Sequence, residues 1–467
     1  MTVFEEIMAL RDGGAPADGH VRITGADPVL ETHFKVAETA ALVLAGIGVA
    51  VTDLWEMKTG HRQDIEIDVR AAAATLSANK FLQARNENGA FEDVFDPEHE
   101  ANRSLTGCYQ AKDGRWVLPH FGLPHLRDRM LALLQAEPNS DSIARAVAKW
   151  DAEDLEQAID EHRLCGGRIR TNEEWLGEAH GKVLAAKPVV EVIKIGDSDP
   201  EPMPTGIRPL SGIKVLDLTR ILAGPVTGRT LAEHGADVLM VAAPHVPQIW
   251  PYVGDTSHGK RSCFLDLRKD EDVQTLKGLV QSADVFSQGY RPDKINAMGF
   301  GAEALAALRP GLIYVSISCY GADGPFSHRA GWEQVGQIMS GIAAEGVQTS
   351  DEYRPKLLPV AANDYITGYL GAYGTLVALA RRAREGGSYH VRVSLCQTGM
   401  MIYRQGKVTT LPEKPGLSAA ELDKLRIHSD THLGHIRHLA PVLRLSETRP
   451  YWDLPTPKLG THAPEWA

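Results

Sequence analysis

Apolar positions follow two periods along this chain, and each change of period marks out an element. Residues 213–218, "IKVLDL", form a run of buried-strand type that breaks at Ala223-Gly224-Pro225. The spacing turns helical near Thr227 to His234 and returns to a strand at Asp237 to Val241. Further strands are expected at Ala283 to Phe286 and Leu312 to Ile317, and this βαβ alternation predicts a doubly wound parallel sheet. Upstream the pattern is mostly helical: 37–55 reads as an apolar helix, Tyr109 to His120 as a hairpin turning at Asp113-Gly114, and Thr171 to Glu174 as a capping box ahead of Trp175. Between the two regions "GDSDPEPMPTGIRP", residues 196–209, reads as an extended linker.

One pattern occurs twice. "MKTGHRQDIEIDVRAA" (57–72) matches "AREGGSYHVRVSLCQT" (383–398), with Gly60 against Gly386, Ile65 against Val391 and Ile67 against Val393. In each copy a long apolar helix precedes a glycine turn and an alternating strand.

Composition and charge narrow the function classes. The chain has 467 residues, 43% hydrophobic and 23% charged, which fits an ordinary globular protein of two or three domains. A net charge of -11 argues against a nucleic-acid surface, although it leaves room for a local basic pocket. Cys108, Cys165, Cys263, Cys319 and Cys396 are scattered and never in CxxC spacing, so neither a disulfide framework nor a zinc site is expected and a reducing compartment fits best. Cys165 and Cys396 read as buried packing thiols. The start, "MTVFEEIMALRDGG", lacks the pattern of a signal peptide, and the longest apolar run, Ala40 to Val51, is too short to span a bilayer. A soluble cytoplasmic protein with no membrane partner is therefore expected. His428, His432, His435 and His438 are spaced as on a helix, and a polar surface helix is expected there rather than a metal site.

The turn after residue 218 has a physical use. A strand ending at Leu218 and a helix starting near Pro225 leave free backbone N–H groups at a helix N-terminus, where the macrodipole also favours an anion. Proline in the first turn suits this, since its missing N–H is not needed there. In a doubly wound sheet the crevice beyond the strand ends is the usual ligand site.

Five stretches carry a family resemblance: "PLSGIKVLDLTRILAGPVTGRTLAEHGADVLMV", "GKRSCFLDLRKDED", "ADVFSQGYRPDKINAMGFG", "LRPGLIYVSISCYGADGPF" and "GWEQVGQIMSG". In this order and spacing they resemble the family III CoA-transferases, which include formyl-CoA and carnitine CoA-transferases and α-methylacyl-CoA racemase. The first 200 residues are similar to the other end of the same family, in "LWEMKTGHRQDIEIDVRAA", "GCYQAKDGRWVL" and "GGRIRTNEEWLGEAHGKVLAAKPVVEV". The chain thus places a C-terminal-half module ahead of an N-terminal-half module. The resulting layout is an extension (1–30), a smaller α+β module (31–195), the linker (196–209), a Rossmann-like CoA-binding module (210–400) and a C-terminal extension (401–467).

The resemblance implies an acyl-CoA transferase that moves CoA from an acyl-CoA to a carboxylic acid through an acyl group held on an enzyme carboxylate. CoA and acyl-CoA are then cosubstrates, with no tightly bound cofactor and no metal, and an interlocked homodimer is implied. Arg220, Ile221, Leu222 and Ala223 match the segment laid against CoA. Leu265 matches an adenine-side apolar residue and Arg268 a basic one, with a solvated surface arginine as the plainer reading. Tyr290 matches an aromatic position suited to stacking on adenine, and Met298 an apolar lid residue. Ala242 and Ala243 replace charged groups common in relatives, and Ala297 stands where some relatives have arginine.

For the nucleophile the resemblance points to an aspartate in the loop after the "QIMSG" helix, best matched by Asp351 in "GIAAEGVQTSDEYRPKLLP". Glu352, Glu345 and Glu333 are the other candidates. Asp364, in "ANDYITGY", matches an aspartate that opens the next helix and acts as a base in the racemase branch; a plain N-cap is its other reading. Trp332 occupies the position of the racemase histidine, with Glu333 beside it, so a racemase, isomerase or lyase stands behind transfer. A CoA-binding paralogue without catalysis is the reading from outside enzymes.

Overall fold

The computed structural model describes residues 2–17, 19–348 and 353–467. Its main sheet is built from strands Val190–Gly196 (β1), Lys214–Leu218 (β2), Asp237–Ala242 (β3), Lys260–Phe264 (β4), Val285–Gln288 (β5), Ile313–Ser318 (β6) and Ser388–Ser394 (β7). The helices that matter for the site are Val36–Thr59 (α1), Ala223–Ala232 (α2), Glu333–Ser340 (α3), Ala362–Glu385 (α4) and Leu395–Gln405 (α5).

In space the sheet runs β4-β3-β2-β5-β6-β7-β1, with β2 to β7 parallel and β1 antiparallel at the edge beside β7. Counted in chain order, the parallel strands lie 3-2-1-4-5-6, the doubly wound arrangement. The order reverses between β2 and β5, so a crevice opens beyond their carboxyl ends. Both strands are covered on two faces, which explains why they read as continuous runs: every residue of β5 and all but the first of β2 are buried.

One buried residue of β2 is charged. Lys260, from β4, places Nζ 2.7 Å from Asp217 Oδ2 and 2.8 Å from the Pro225 carbonyl oxygen, with both side chains wholly buried. This ion pair ties β2, β4 and the first turn of α2 together. Glycines then let α4 lie directly on α2: a Cβ at Gly368 would meet Ala223 O at 2.4 Å, and one at Gly371 would meet Thr227 Oγ1 at 2.6 Å. The Thr227 hydroxyl donates to Gly368 O at 2.8 Å across that contact.

The two copies of the repeated pattern have the same form. α1 and α4 are each 24 residues long and end at Gly60 (φ 78°) and Gly386 (φ 68°). Strand Ile65–Asp68 and helix Val69–Thr75 follow the first; β7 and α5 follow the second. α1 and α4 pack against each other, and one apolar core runs through both. α1 is longer than the apolar run visible in the sequence: it is long and apolar enough to cross a membrane, and 83% of its most apolar stretch is buried in the protein.

The expected hairpin forms from Tyr109–Gln110 and Trp116–Pro119, and Thr171 caps helix Asn172–Gly177 through the expected box with Glu174. α2 begins at Ala223, two residues ahead of Pro225. The histidine segment is not a helix. It is a hairpin of strands Arg426–Thr431 and Gly434–Leu439, in which His428 and His435 stack at 5.2 Å and His438 is buried. A turn at its centre breaks the run, and 3-4 spacing matched a helix by accident.

Residues 197–213 carry no helix or strand, yet they are anchored. Glu201 accepts from Arg309 at 2.8 Å, and buried Arg208 donates to Glu233 O at 2.6 Å. Because β1 pairs with β7, the upstream region contributes a strand to the main sheet.

Candidate functional site

A cavity of about 390 Å³ opens at the reversal of strand order. Four chain segments at the carboxyl ends of neighbouring strands form its base: 218–224 at the end of β2, 289–291 after β5, 317–319 at the end of β6, and Leu395 after β7. Residues 330–332 and Asp364 close one side, and Leu123, His125, Leu126, Arg129 and Arg163 from the upstream region close another. Both halves of the chain therefore build one cavity.

The β2–α2 turn is held in an unusual backbone state. Ile221 has φ 72°, a left-handed value that a β-branched side chain rarely adopts. Such a conformation persists only where surrounding structure fixes it, and it commonly marks a ligand clamp. Arg220 next to it donates to Pro247 O, while its Nε is buried without a partner among the described residues. Burial lowers the Arg220 guanidinium and raises the Tyr290 phenol across the cavity.

Asp364 lies at the third position of α4, and Ala361 is that helix's N-cap; the N-cap reading of Asp364 is thereby corrected. Its side chain lines the cavity while the residue is only 8% exposed. The helix N-terminus is satisfied by Glu333 of α3, which accepts from Asn363 N at 3.1 Å, Asp364 N at 2.6 Å and Gln337 Nε2 at 2.6 Å. Burial raises the Asp364 carboxyl well above the ordinary carboxylate range, and the Glu333 charge adds to the rise. Burial also pushes Glu333 up to about 7, against the pull of its bonds to Asp364, Gln337 and Asn363. The two carboxyls titrate as a pair.

The sequence model of CoA-transferase family III matches residues 15–205 and 210–422. The chain belongs to CoA-transferase family III. It is 34% identical over 408 residues to the acetyl-coenzyme A transferase nodX of Hypoxylon pulicicidum, covering 79% of this chain and 69% of that protein. An acyl-CoA transferase of Gibberella moniliformis is 32% identical over 411 residues, covering 80% of this chain and 71% of that one. Among solved structures, a CAIB/BAIF family protein from Brucella suis is 29% identical, with a TM-score of 0.39, over 49% of this chain and 65% of that one.

In this family III CoA-transferase the expected CoA residues divide into two groups. Arg220, Ile221, Leu222, Ala223 and Tyr290 line the cavity. Leu265, Arg268 and Met298 do not: Leu265 is buried in the smaller apolar cluster, with Met298 packed against it, and Arg268 points to solvent in a forked pair with Asp266 at 2.8 and 2.7 Å. Of the acidic candidates, Asp351 and Glu352 lie outside the described residues. Glu345 is taken up by Tyr403 and by Lys407 at 2.6 Å, and Glu333 serves α4 as described.

Sequence reasoning missed the far wall of this CoA-transferase. His125 and Arg129 sit one turn apart on helix Pro124–Leu134, a spacing visible in "PHLRDRM", but nothing local says that this face meets a turn almost a hundred residues later. Cys319 also lines the cavity, a place that its scattered position among the five cysteines did not suggest.

Proposed function

We propose that this CoA-transferase moves CoA from an acyl-CoA to a free carboxylic acid, with Asp364 as the nucleophile that carries the acyl group. The observation that supports this most is the charge arrangement of the cavity. Asp364 is the only acidic residue among its described lining residues, whereas Arg129, Arg163, Arg220, Arg291 and His125 line the remainder. CoA is a polyanion with one reactive sulfur, and a basic mouth over a single buried carboxyl is complementary to it. The N-terminus of α2 adds a further preference for negative charge beside the strained turn.

The chemistry follows from nucleophilic catalysis by a carboxylate. Asp364 Oδ attacks the thioester carbonyl; the C–S bond breaks, leaving an acyl-aspartyl anhydride and CoA thiolate. The thiolate then attacks the Asp364 carbonyl carbon, which expels the first acid and leaves an enzyme thioester. The acceptor carboxylate attacks that thioester, releases thiolate and forms a second anhydride. Attack of thiolate on the acceptor carbonyl yields the new acyl-CoA and restores Asp364. Two neighbouring buried carboxyls resist ionising together, so the Asp364–Glu333 pair tends to retain a proton, and Asp364 attacks in those molecules in which its own carboxyl is ionised.

The test is to incubate the protein with a panel of acyl-CoAs, quench with hydroxylamine or borohydride, and map modified residues by mass spectrometry. An adduct at Asp364 is expected. An adduct at Asp351 instead moves the nucleophile to that loop, and no adduct despite bound CoA favours a racemase, a lyase or a non-catalytic CoA-binding protein.

A further inference from the structure

We infer that Trp332 is a fixed wall that limits this site to short acyl groups of a few carbons, an inference that rests on the transfer reading above. The cavity is polarised along the sheet edge. Arg220 and Arg291 follow β2 and β5, while Ile317 lies at the end of β6 and Cys319 and Leu395 follow β6 and β7. On the apolar side the segment Ala330-Gly331-Trp332 completes the lining. Polyanionic CoA belongs at the basic end, so an acyl tail leaving the carbon bonded to Asp364 runs toward the apolar end.

Trp332 lines that end of the cavity, which Asp364 also lines. It is the N-cap of α3, and the next residue, Glu333, holds the backbone N–H of Asp364 at 2.6 Å. His120 packs against the indole with ring centroids 4.7 Å apart. A Cβ at Gly122 would lie 3.2 Å from indole Cζ3 and 2.5 Å from His120 Cε1, so the Gly122 backbone lies close to both rings.

His120 is itself pinned. It accepts from Gly122 N at Nδ1, 3.1 Å away, so its Nε2–H donates to Gln334 Oε1, also at 3.1 Å. Burial lowers it to about 4, which keeps the ring neutral in one tautomer. The chain before the indole is equally tight: a Cβ at Gly331 would meet Cys319 Sγ at 2.2 Å. A side chain clamped from behind by a buried neutral imidazole and at its root by a cysteine sets a length limit rather than a hinged flap.

The test measures kcat/KM for acetyl-, butyryl-, hexanoyl- and octanoyl-CoA with one fixed acceptor acid, in the wild type, Trp332→Phe and Trp332→Ala. In the wild type the values are expected to fall steeply beyond about four carbons. Trp332→Ala is expected to raise the octanoyl-to-acetyl ratio by at least about tenfold, with Trp332→Phe between the two. A tryptophan that only supports the fold would lower all four values together. An unchanged ratio, or a wild type that takes octanoyl-CoA as well as acetyl-CoA, overturns the inference. Calorimetric binding of the same thioesters reads the size limit without turnover. A retained length limit in binding with no transfer overturns the transfer reading alone, and equal binding of all lengths by wild type and variants overturns the wall. Should Trp332→Ala fail to fold, Trp332→Phe still reads the change in ratio.

Discussion

At the scale of single residues, the site depends on where one carboxyl is buried and what stands next to it. Asp364 has a cavity on one side and a second carboxyl behind its own backbone, so its proton affinity is raised by burial and then by Glu333. Replacing Asp364 with Asn removes the nucleophile and is expected to lower transfer by at least about a thousandfold, with CoA binding retained by calorimetry. Glu333→Gln deletes the neighbouring charge, so the acid limb of the kcat/KM profile is expected to move to lower pH; a profile identical to the wild type contradicts the coupling. Stability responds with a definite sign. A glutamate held above its ordinary value favours the protonated native state, so its stabilisation is complete at acid pH and is lost as pH rises through about 7. Melting temperatures from pH 5 to 8 are expected to decline in the wild type more than in Glu333→Gln.

Among the elements, the β2–α2 unit shows how a local pattern and a distant partner share the work. The strand, the break and the helix were legible from apolar spacing alone, because a strand and a helix repeat their apolar positions with different periods. The charge inside β2 was not explained by that pattern. Asp217 is tolerated because Lys260, from a strand 43 residues on, meets it in the core. Lys260→Met leaves a buried carboxylate unpaired and is expected to cost about 3–5 kcal/mol in denaturant unfolding. Asp217→Asn combined with Lys260→Met is expected to recover part of that loss, and a fully additive double variant would show that the pair does not couple. The histidine segment failed in the opposite way. Its spacing matched a helix, but a turn between residues 431 and 434 and pairing with strand Gln83–Arg85 made it a sheet edge.

For the molecule as a whole, the two modules read from sequence share one core. β1 lies in the main sheet beside β7, α1 packs along α4, and strand Arg444–Leu445 returns to pair with Ile65–Asp68. Residues 206–467 expressed alone would expose the face of α4 that α1 covers and leave β7 at an open edge. That fragment is expected to aggregate or to melt without cooperativity, and co-expression with residues 1–205 is expected to restore a soluble pair; a fragment that unfolds cooperatively by itself contradicts the shared core.

The sequence by itself determined the alternating α/β pattern, strand β2 and the turn after it, the repeated helix-turn-strand unit and the family, because each is written in local periods and short motifs. It also placed Arg220 to Ala223, Tyr290 and Asp364 among the residues to watch, and all of these line the cavity. Tertiary structure decided what those residues face. Arg129, Arg163 and His125 reach the cavity only because the upstream module folds over the strand ends, and Glu333 caps α4 only because α3 docks there. Contacts between residues far apart in the chain follow from how whole faces pack, and that packing leaves no short-range period to read.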